Sequence, residues 1–181
     1  MNDEKLTLRT ARLELVATTL VHIEAELAGA QLLGALLGVR VPASWPPGEF
    51  DHDALKYFRS QLQKGGPACE GWYSWYGIST GADGQREQLV AAAGYFGPPS
   101  DGQVEIGYSV IPEARGRGFA AEIVRALVDR AFEQSVIGHV IAHTNDANVP
   151  STKLLLRQGF RRVVPGAGAG MIMYRKDQPA P

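Results

Sequence analysis

The stretch Val110 to Ala121, VIPEARGRGFAA, constrains this chain more than any other. An apolar strand runs out through Pro112 and turns through Arg115-Gly116-Arg117-Gly118. It enters a segment where Ala120, Ile123, Val124, Leu127, Val128 and Ala131 recur at helical spacing. A strand that passes through glycine into an amphipathic helix leaves free backbone N–H groups and the positive dipole end at the turn. Glycines remove the side chains that would hold an anion away from those N–H groups. Arg115 and Arg117 add charge-assisted donors suited to phosphate oxygens. A plain tight turn is the competing reading, but two unpaired arginines there would oppose the dipole. The residues favour a pyrophosphate cradle.

The remaining pattern sets this unit in one domain. Strand alternation is expected in Leu6 to Ala17, then a helix from Thr18 or Thr19 to about Leu37, ended by Gly38. Val39 to Phe50, with Pro42, Pro46 and Pro47 around Trp45, reads as an ordered loop. Asp51 caps a second helix through Lys64, ended by Gly65-Gly66-Pro67. Strands at Trp72–Ser79, Leu89–Phe96 and Gln103–Val110 form an antiparallel meander, its turns marked by Gly81-Ala82-Asp83-Gly84 and Ser100-Asp101-Gly102. After the helix at Gly118–Gln134 come a strand at Val140–Thr144 and a helix at Asn148–Gln158. Short strands at Phe160–Val164 and Met171–Arg175 flank the Gly-Ala-Gly-Ala-Gly loop, Gly166 to Gly170. The order β-α-α-β-β-β-α-β-α-β-β predicts an α/β fold with a mixed sheet.

Composition removes several function classes. The 181 residues suit one domain, with an ordered core expected over about 6–176. Lys and Arg total 18 against 19 Asp and Glu, so the basic excess of a nucleic-acid binder is missing. No run approaches the eighteen apolar residues of a membrane span, and the charged N-terminus lacks a signal-peptide core. The single cysteine, Cys69, permits no internal disulfide and reads as a packing residue. A cytoplasmic protein is expected. His139 and His143 have the spacing of a helical metal site but fall on a strand, where four residues span about 13 Å. No metal is expected.

Two phosphate-binding patterns fit the glycine turn. Gly116 to Ala121 matches the dinucleotide fingerprint G-x-G-x-x-G/A, but antiparallel strands precede it and too little chain follows for a doubly wound sheet. Arg115-Gly116-Arg117-Gly118-Phe119-Ala120 also matches R/Q-x-x-G-x-G/A. With Glu105-Ile106-Gly107-Tyr108-Ser109-Val110 upstream and Asn148-Val149-Pro150-Ser151…Gly159-Phe160 downstream, it resembles the GCN5-related N-acetyltransferase (GNAT) superfamily. The opening Thr10-Ala11-Arg12-Leu13-Glu14-Leu15 is similar to the T-x-R-L-x-L of the branch that includes ribosomal-protein N-terminal alanine and serine acetyltransferases. The resemblance covers almost the whole chain in the right order.

That resemblance implies a single-domain GNAT-like fold, its mostly antiparallel sheet flanked by helices with a splayed central strand pair. Acetyl-CoA is then the co-substrate and an amine the acceptor, a protein N-terminus or a small molecule; a non-catalytic acyl-CoA-binding module is the alternative. It places the pantetheine arm against the backbone of Val110, whose N–H is the implied oxyanion donor. It places the pyrophosphate on the amides from Arg115 through Gly116, Arg117, Gly118 and Phe119 to Ala120. Asn148 and Ser151 would reach the CoA arm or its sulfur, although Asn148 also reads as a helix cap. Glu105 is the candidate base, its alternative being an ordinary polar-face residue. Many members carry a tyrosine seven residues after the motif asparagine as the acid for the departing thiolate; here Leu155 stands there, leaving Ser151, a water, or a thiolate that departs unprotonated. Homodimers are common in that fold, and nothing in this sequence demands one. The loop Arg40–Phe50 and the aromatic run Trp72–Tyr76 are candidates to wall an acceptor groove, and Glu49, Asp51 and Asp53 to attract a cationic amine, the commoner meaning of such residues being a solvated acidic face.

Overall fold

The computed structural model describes residues 6–163 and 170–179. An eight-stranded sheet has the order β1-β2-β3-β4-β5-β6-β8-β7. Its strands are β1 (Thr7–Arg9), β2 (Leu13–Ala17), β3 (Ser74–Thr80), β4 (Arg86–Tyr95), β5 (Gln103–Val110), β6 (His139–Asn145), β7 (Arg161–Val163) and β8 (Met171–Asp177). The helices are α1 (Leu20–Ala28), α2 (Ala30–Leu37), α3 (His52–Gly65), α4 (Phe119–Phe132) and α5 (Val149–Arg157). Every pairing is antiparallel except β5 with β6, where the α4 crossover returns the chain in the same direction. The mixed α/β sheet expected from the element order is present.

Two local expectations are corrected. The opening segment is a hairpin, not one strand: Thr7 pairs with Val16 and Arg9 with Glu14. The first helix is two, because Gly29 adopts φ +142, a conformation that side-chain-bearing residues rarely take and that breaks the helical path. The loop Gly166 to Gly170 lies outside the described residues apart from Gly170, as does the end of the expected strand at Val164.

Both faces of the sheet are covered. On one, Ile123, Val124, Leu127 and Val128 of α4 and Leu155 of α5 join Leu15, Trp75, Ala93 and Ile106 in the main core. On the other, α2 buries Leu33 and Leu37 against Val16, Tyr76 and Ile78, while α1 and α3 meet around Ile23, Leu55, Leu62 and Tyr73. The chain between α2 and α3 is anchored from inside. Trp45 Nε1 donates to Glu26 Oε1 at 2.6 Å, and Tyr76 Oη donates to the other oxygen at 2.5 Å. Ser44 Oγ donates to Glu113 Oε1 at 2.7 Å. These bonds fix Gly48, Glu49 and Phe50 beside β5.

The ladder between β5 and β6 is short. It runs from Gln103–His139 to Glu105–Ile141 and stops, although both strands continue. Beyond Glu105 the two strands part.

Candidate active site

The parted strands open a cleft of about 780 Å³. Its backbone wall is set by strand parity. Ile111 N–H bonds the Val90 carbonyl at 2.9 Å and Phe96 N–H bonds the Glu105 carbonyl at 3.0 Å. Odd-numbered residues of β5 therefore pair with β4, and Tyr108 and Val110 turn their amides toward the gap. The Val110 carbonyl is occupied, since Arg115 Nε donates to it at 3.0 Å. What Val110 offers the cleft is its N–H. Arg115 is thus folded back on the strand.

At the end of β5 a single 3₁₀ turn, Pro112–Ala114, leads into the glycine turn. The amides of Gly116, Arg117, Gly118, Phe119 and Ala120 have no acceptor among the described residues; the first helical bonds are those of Ala121 and Glu122 to the Gly118 carbonyl. Gly116 and Gly118 lie at φ +72 and +86. A Cβ built on Gly116 meets nothing within 4 Å, so the turn faces open space at that residue. A row of uncommitted amides at a helix N-terminus, open at Gly116, fits a pyrophosphate. Phe119 contributes backbone only: its ring is buried beneath the guanidiniums of Arg12 and Arg117, at 4.8 and 5.0 Å from the centroid.

Arg12 holds this turn. Its Nη2 donates to the Arg117 carbonyl at 2.8 Å and its Nε to Glu122 Oε1 at 2.7 Å. Thr10 Oγ1 donates to Glu122 Oε2 at 2.6 Å. The opening motif therefore braces the first turn of α4 from the N-terminal hairpin. Burial alone would raise the Glu122 carboxyl, but these hydrogen bonds and the Arg12 charge together hold it below the ordinary carboxylate range.

Two side-chain pairs sit on opposite faces of β5. Glu105 Oε1 is 2.7 Å from His143 Nδ1 on β6, both half-buried at the point where the strands separate. Tyr108 Oη lies 2.8 Å from Ser151 Oγ in the first turn of α5. Burial pushes the Tyr108 hydroxyl above the usual phenol range, and the Ser151 hydrogen bond only partly opposes this. Asn148 caps α5, its Oδ1 accepting the Ser151 N–H at 3.2 Å, and it also lines the cleft. Leu155 is fully buried in the cleft floor. Neither His143 nor Tyr108 is given a catalytic role by the sequence motifs. His143 belongs because β6 parts from β5 one residue after Glu105, and only the pairing register tells that.

The opposite wall is aromatic and acidic. Phe50, Tyr57, Phe58 and Phe96 line it with Glu49 and Asp53, and no lysine or arginine is among the described lining residues. Asp51 caps α3 as expected, accepting the amides of Asp53 and Ala54 at 3.0 Å. Two expectations about the groove wall are corrected: Asp51 is not among its described lining residues. Trp75 and Tyr76 lie in the core on opposite faces of β3, because helices cover both faces, and Arg130 stacks on Trp72 at 4.4 Å. Cys69 packs beside the cluster between α1 and α3. Among the described residues no helix is long and apolar enough to cross a membrane.

Comparison with known proteins agrees with this geometry. Residues 6–161 match the model of the acetyltransferase (GNAT) domain. The chain is 27% identical over 125 residues to the uncharacterized N-acetyltransferase YjdG of Bacillus subtilis, covering 68% of this chain and 71% of that protein. In fold it is similar to an acetyltransferase of Agrobacterium tumefaciens, with TM-score 0.63, 20% identity and 98% of each chain covered. It is likewise similar to the ribosomal-protein-S5-alanine acetyltransferase of Vibrio fischeri, with TM-score 0.59, 16% identity, and 95% and 96% covered. An acyltransferase with acetyl-CoA as its co-substrate follows: the chain belongs to the GNAT acetyltransferase family.

Proposed function

We propose that this enzyme transfers the acetyl group of acetyl-CoA directly to a primary amine, the leading acceptor being a protein N-terminal α-amine. One observation carries the reading. The gap between β5 and β6, lined by Glu105, Tyr108, His143 and Ser151, faces the acidic, aromatic wall before and along α3, while β5 itself runs on through Val110 toward the uncommitted amides of the glycine turn. In this scheme Gly116 to Ala120 hold the pyrophosphate, and Val110 N–H donates to the thioester oxygen as charge develops on it. Glu105 serves proton removal from the amine. Ser151, bonded to Tyr108, faces the departing sulfur. The scheme uses no metal ion.

The wall bears on the acceptor. An ammonium group is drawn to Glu49, Asp53 and Glu105. A free amino acid would bring its own carboxylate against these carboxylates, with no arginine or lysine among the described lining residues to receive it. The wall therefore favours an amine whose neighbours are neutral or cationic. A peptide N-terminus meets that requirement, and likeness in fold to a ribosomal-protein acetyltransferase supports it. A polyamine or aminoglycoside meets it too, and is the second reading the carboxylates favour.

Thermal shifts with acetyl-CoA, CoA and NAD test the co-substrate, since a ligand at 100 times its dissociation constant adds about 2.7 kcal/mol. Stabilisation by both CoA species and not by NAD is expected. Thiol release is then measured with a peptide bearing free N-terminal alanine, with spermidine, with an aminoglycoside and with free alanine. Turnover with the peptide and none with the amino acid is expected. Acetyl-CoA binding without turnover of any amine would turn the reading to a non-catalytic binding module.

A further inference from the structure

We infer that His143 takes the proton from the acceptor amine and that Glu105 is its positioning residue, an inference that rests on the acetyltransferase reading above. Glu105 Oε1 lies 2.7 Å from His143 Nδ1. An ionised carboxylate only accepts hydrogen bonds, so Nδ1 must carry the hydrogen and Nε2 is left with the lone pair. A carboxylate that fixes an imidazole in this tautomer and stabilises the imidazolium is a recurring arrangement for proton abstraction. Imidazole is the side chain most often used to take a proton from a reacting group. Glu105 Oε1, meanwhile, is already engaged.

Position agrees with chemistry. His143 lines the cleft one strand away from the Val110 amide, on the stretch of β6 that has left its partner. The charged groups around it are Glu105 on β5, with Glu49 and Asp53 across the cleft before and within α3; Tyr57 of α3 also faces the cleft. On β8 its partner is the uncharged Met173, with Arg175 opposite Ile141.

The proton count closes. The ammonium gives one proton to His143 Nε2, which passes it to solvent. The amine lone pair forms the N–C bond to the thioester carbonyl, and the C–S bond breaks with its electrons leaving on sulfur. The second nitrogen proton is lost as the amide forms and one proton is taken up by the thiolate, so the products are amide, free thiol and one released proton.

The experiment compares wild type with His143→Gln, His143→Asn, His143→Ala and Glu105→Gln, using the most active amine from the panel at saturating acetyl-CoA. Each variant is first checked for wild-type melting and acetyl-CoA stabilisation. Loss of about 10²-fold in kcat/KM is expected for His143→Gln. The acid limb of the pH profile should vanish in His143→Gln and survive in Glu105→Gln. Added imidazole should raise turnover by His143→Ala. A readout independent of activity uses wild type alone: diethyl pyrocarbonate followed by peptide mass spectrometry should modify His143, and the acceptor should protect it. An unmodified His143 would mean that Nε2 does not reach the cleft and would overturn the inference. So would His143→Gln with wild-type rate and an intact acid limb while Glu105→Gln is inactive, which would make Glu105 the direct base. A wild-type protein that neither binds acetyl-CoA nor turns over any amine takes down the enzyme reading itself.

Discussion

Leu155 fills with hydrocarbon the place where the family resemblance implies an acid, and Tyr108 brings a phenol to the same corner from β5 instead of α5. Its oxygen touches Ser151, one helical turn before Leu155, and burial keeps it protonated well above neutral pH. A buried neutral hydroxyl supported by a second hydroxyl can protonate or hydrogen-bond a departing thiolate. Tyr108→Phe is expected to lower kcat by about 10²-fold with little change in KM for acetyl-CoA. The loss should shrink with an acetyl thioester of a more acidic thiol, which needs less help in leaving. An equal loss with both thioesters would assign Tyr108 to packing. A motif search passes over this residue because the spacing rule runs along α5, whereas the phenol arrives by strand register.

Among the elements, the glycine turn before α4 is the one whose backbone path was legible in the residues, because a strand that passes directly into a helix needs positive φ there and glycine supplies it. Gly116 and Gly118 both require positive φ, yet they differ as tests. A Cβ at Gly118 lies 3.2 Å from Arg12 Nη2, so a side chain there disturbs the brace as well as the turn. At Gly116 the space is open. Gly116→Ala should therefore cost about 1–2 kcal/mol of stability from the left-handed backbone, while acetyl-CoA affinity measured by calorimetry falls at least tenfold. Unchanged affinity would remove the pyrophosphate from this turn. β5 was legible to the residue, its alternation bounded by Ser100-Asp101-Gly102 and Pro112. Other boundaries were not. The break at Gly29 and the hairpin at Thr10–Arg12 interrupt patterns that read as continuous, because one glycine or one turn residue changes the path without changing the periodicity. Trp75 and Tyr76 were misplaced for the same reason: alternation tells that a strand has two faces, not that both are covered.

Across the whole molecule, the N-terminal hairpin and the glycine turn are distant in sequence and form one mechanical unit. Thr10 and Arg12 reach Glu122, and Arg12 continues to the Arg117 carbonyl, so the first turn of α4 is held from the far side of the sheet. Glu122→Gln keeps the shape and removes the charge that Arg12 pairs with. It should cost about 1 kcal/mol at pH 7, at the upper end for a partly exposed pair, and weaken acetyl-CoA binding by loosening the turn. The pH dependence follows from the depressed carboxyl. The unfolded chain takes up this proton near 4.5, before the folded one does. The stabilisation is thus complete above that pH and fades as pH falls through the lower folded value. Urea titrations of both proteins at pH 7 and near pH 3 should show their difference shrinking toward zero at the acid end. A gap that stays constant would mean that the glutamine disturbs packing, and that the brace does not depend on charge.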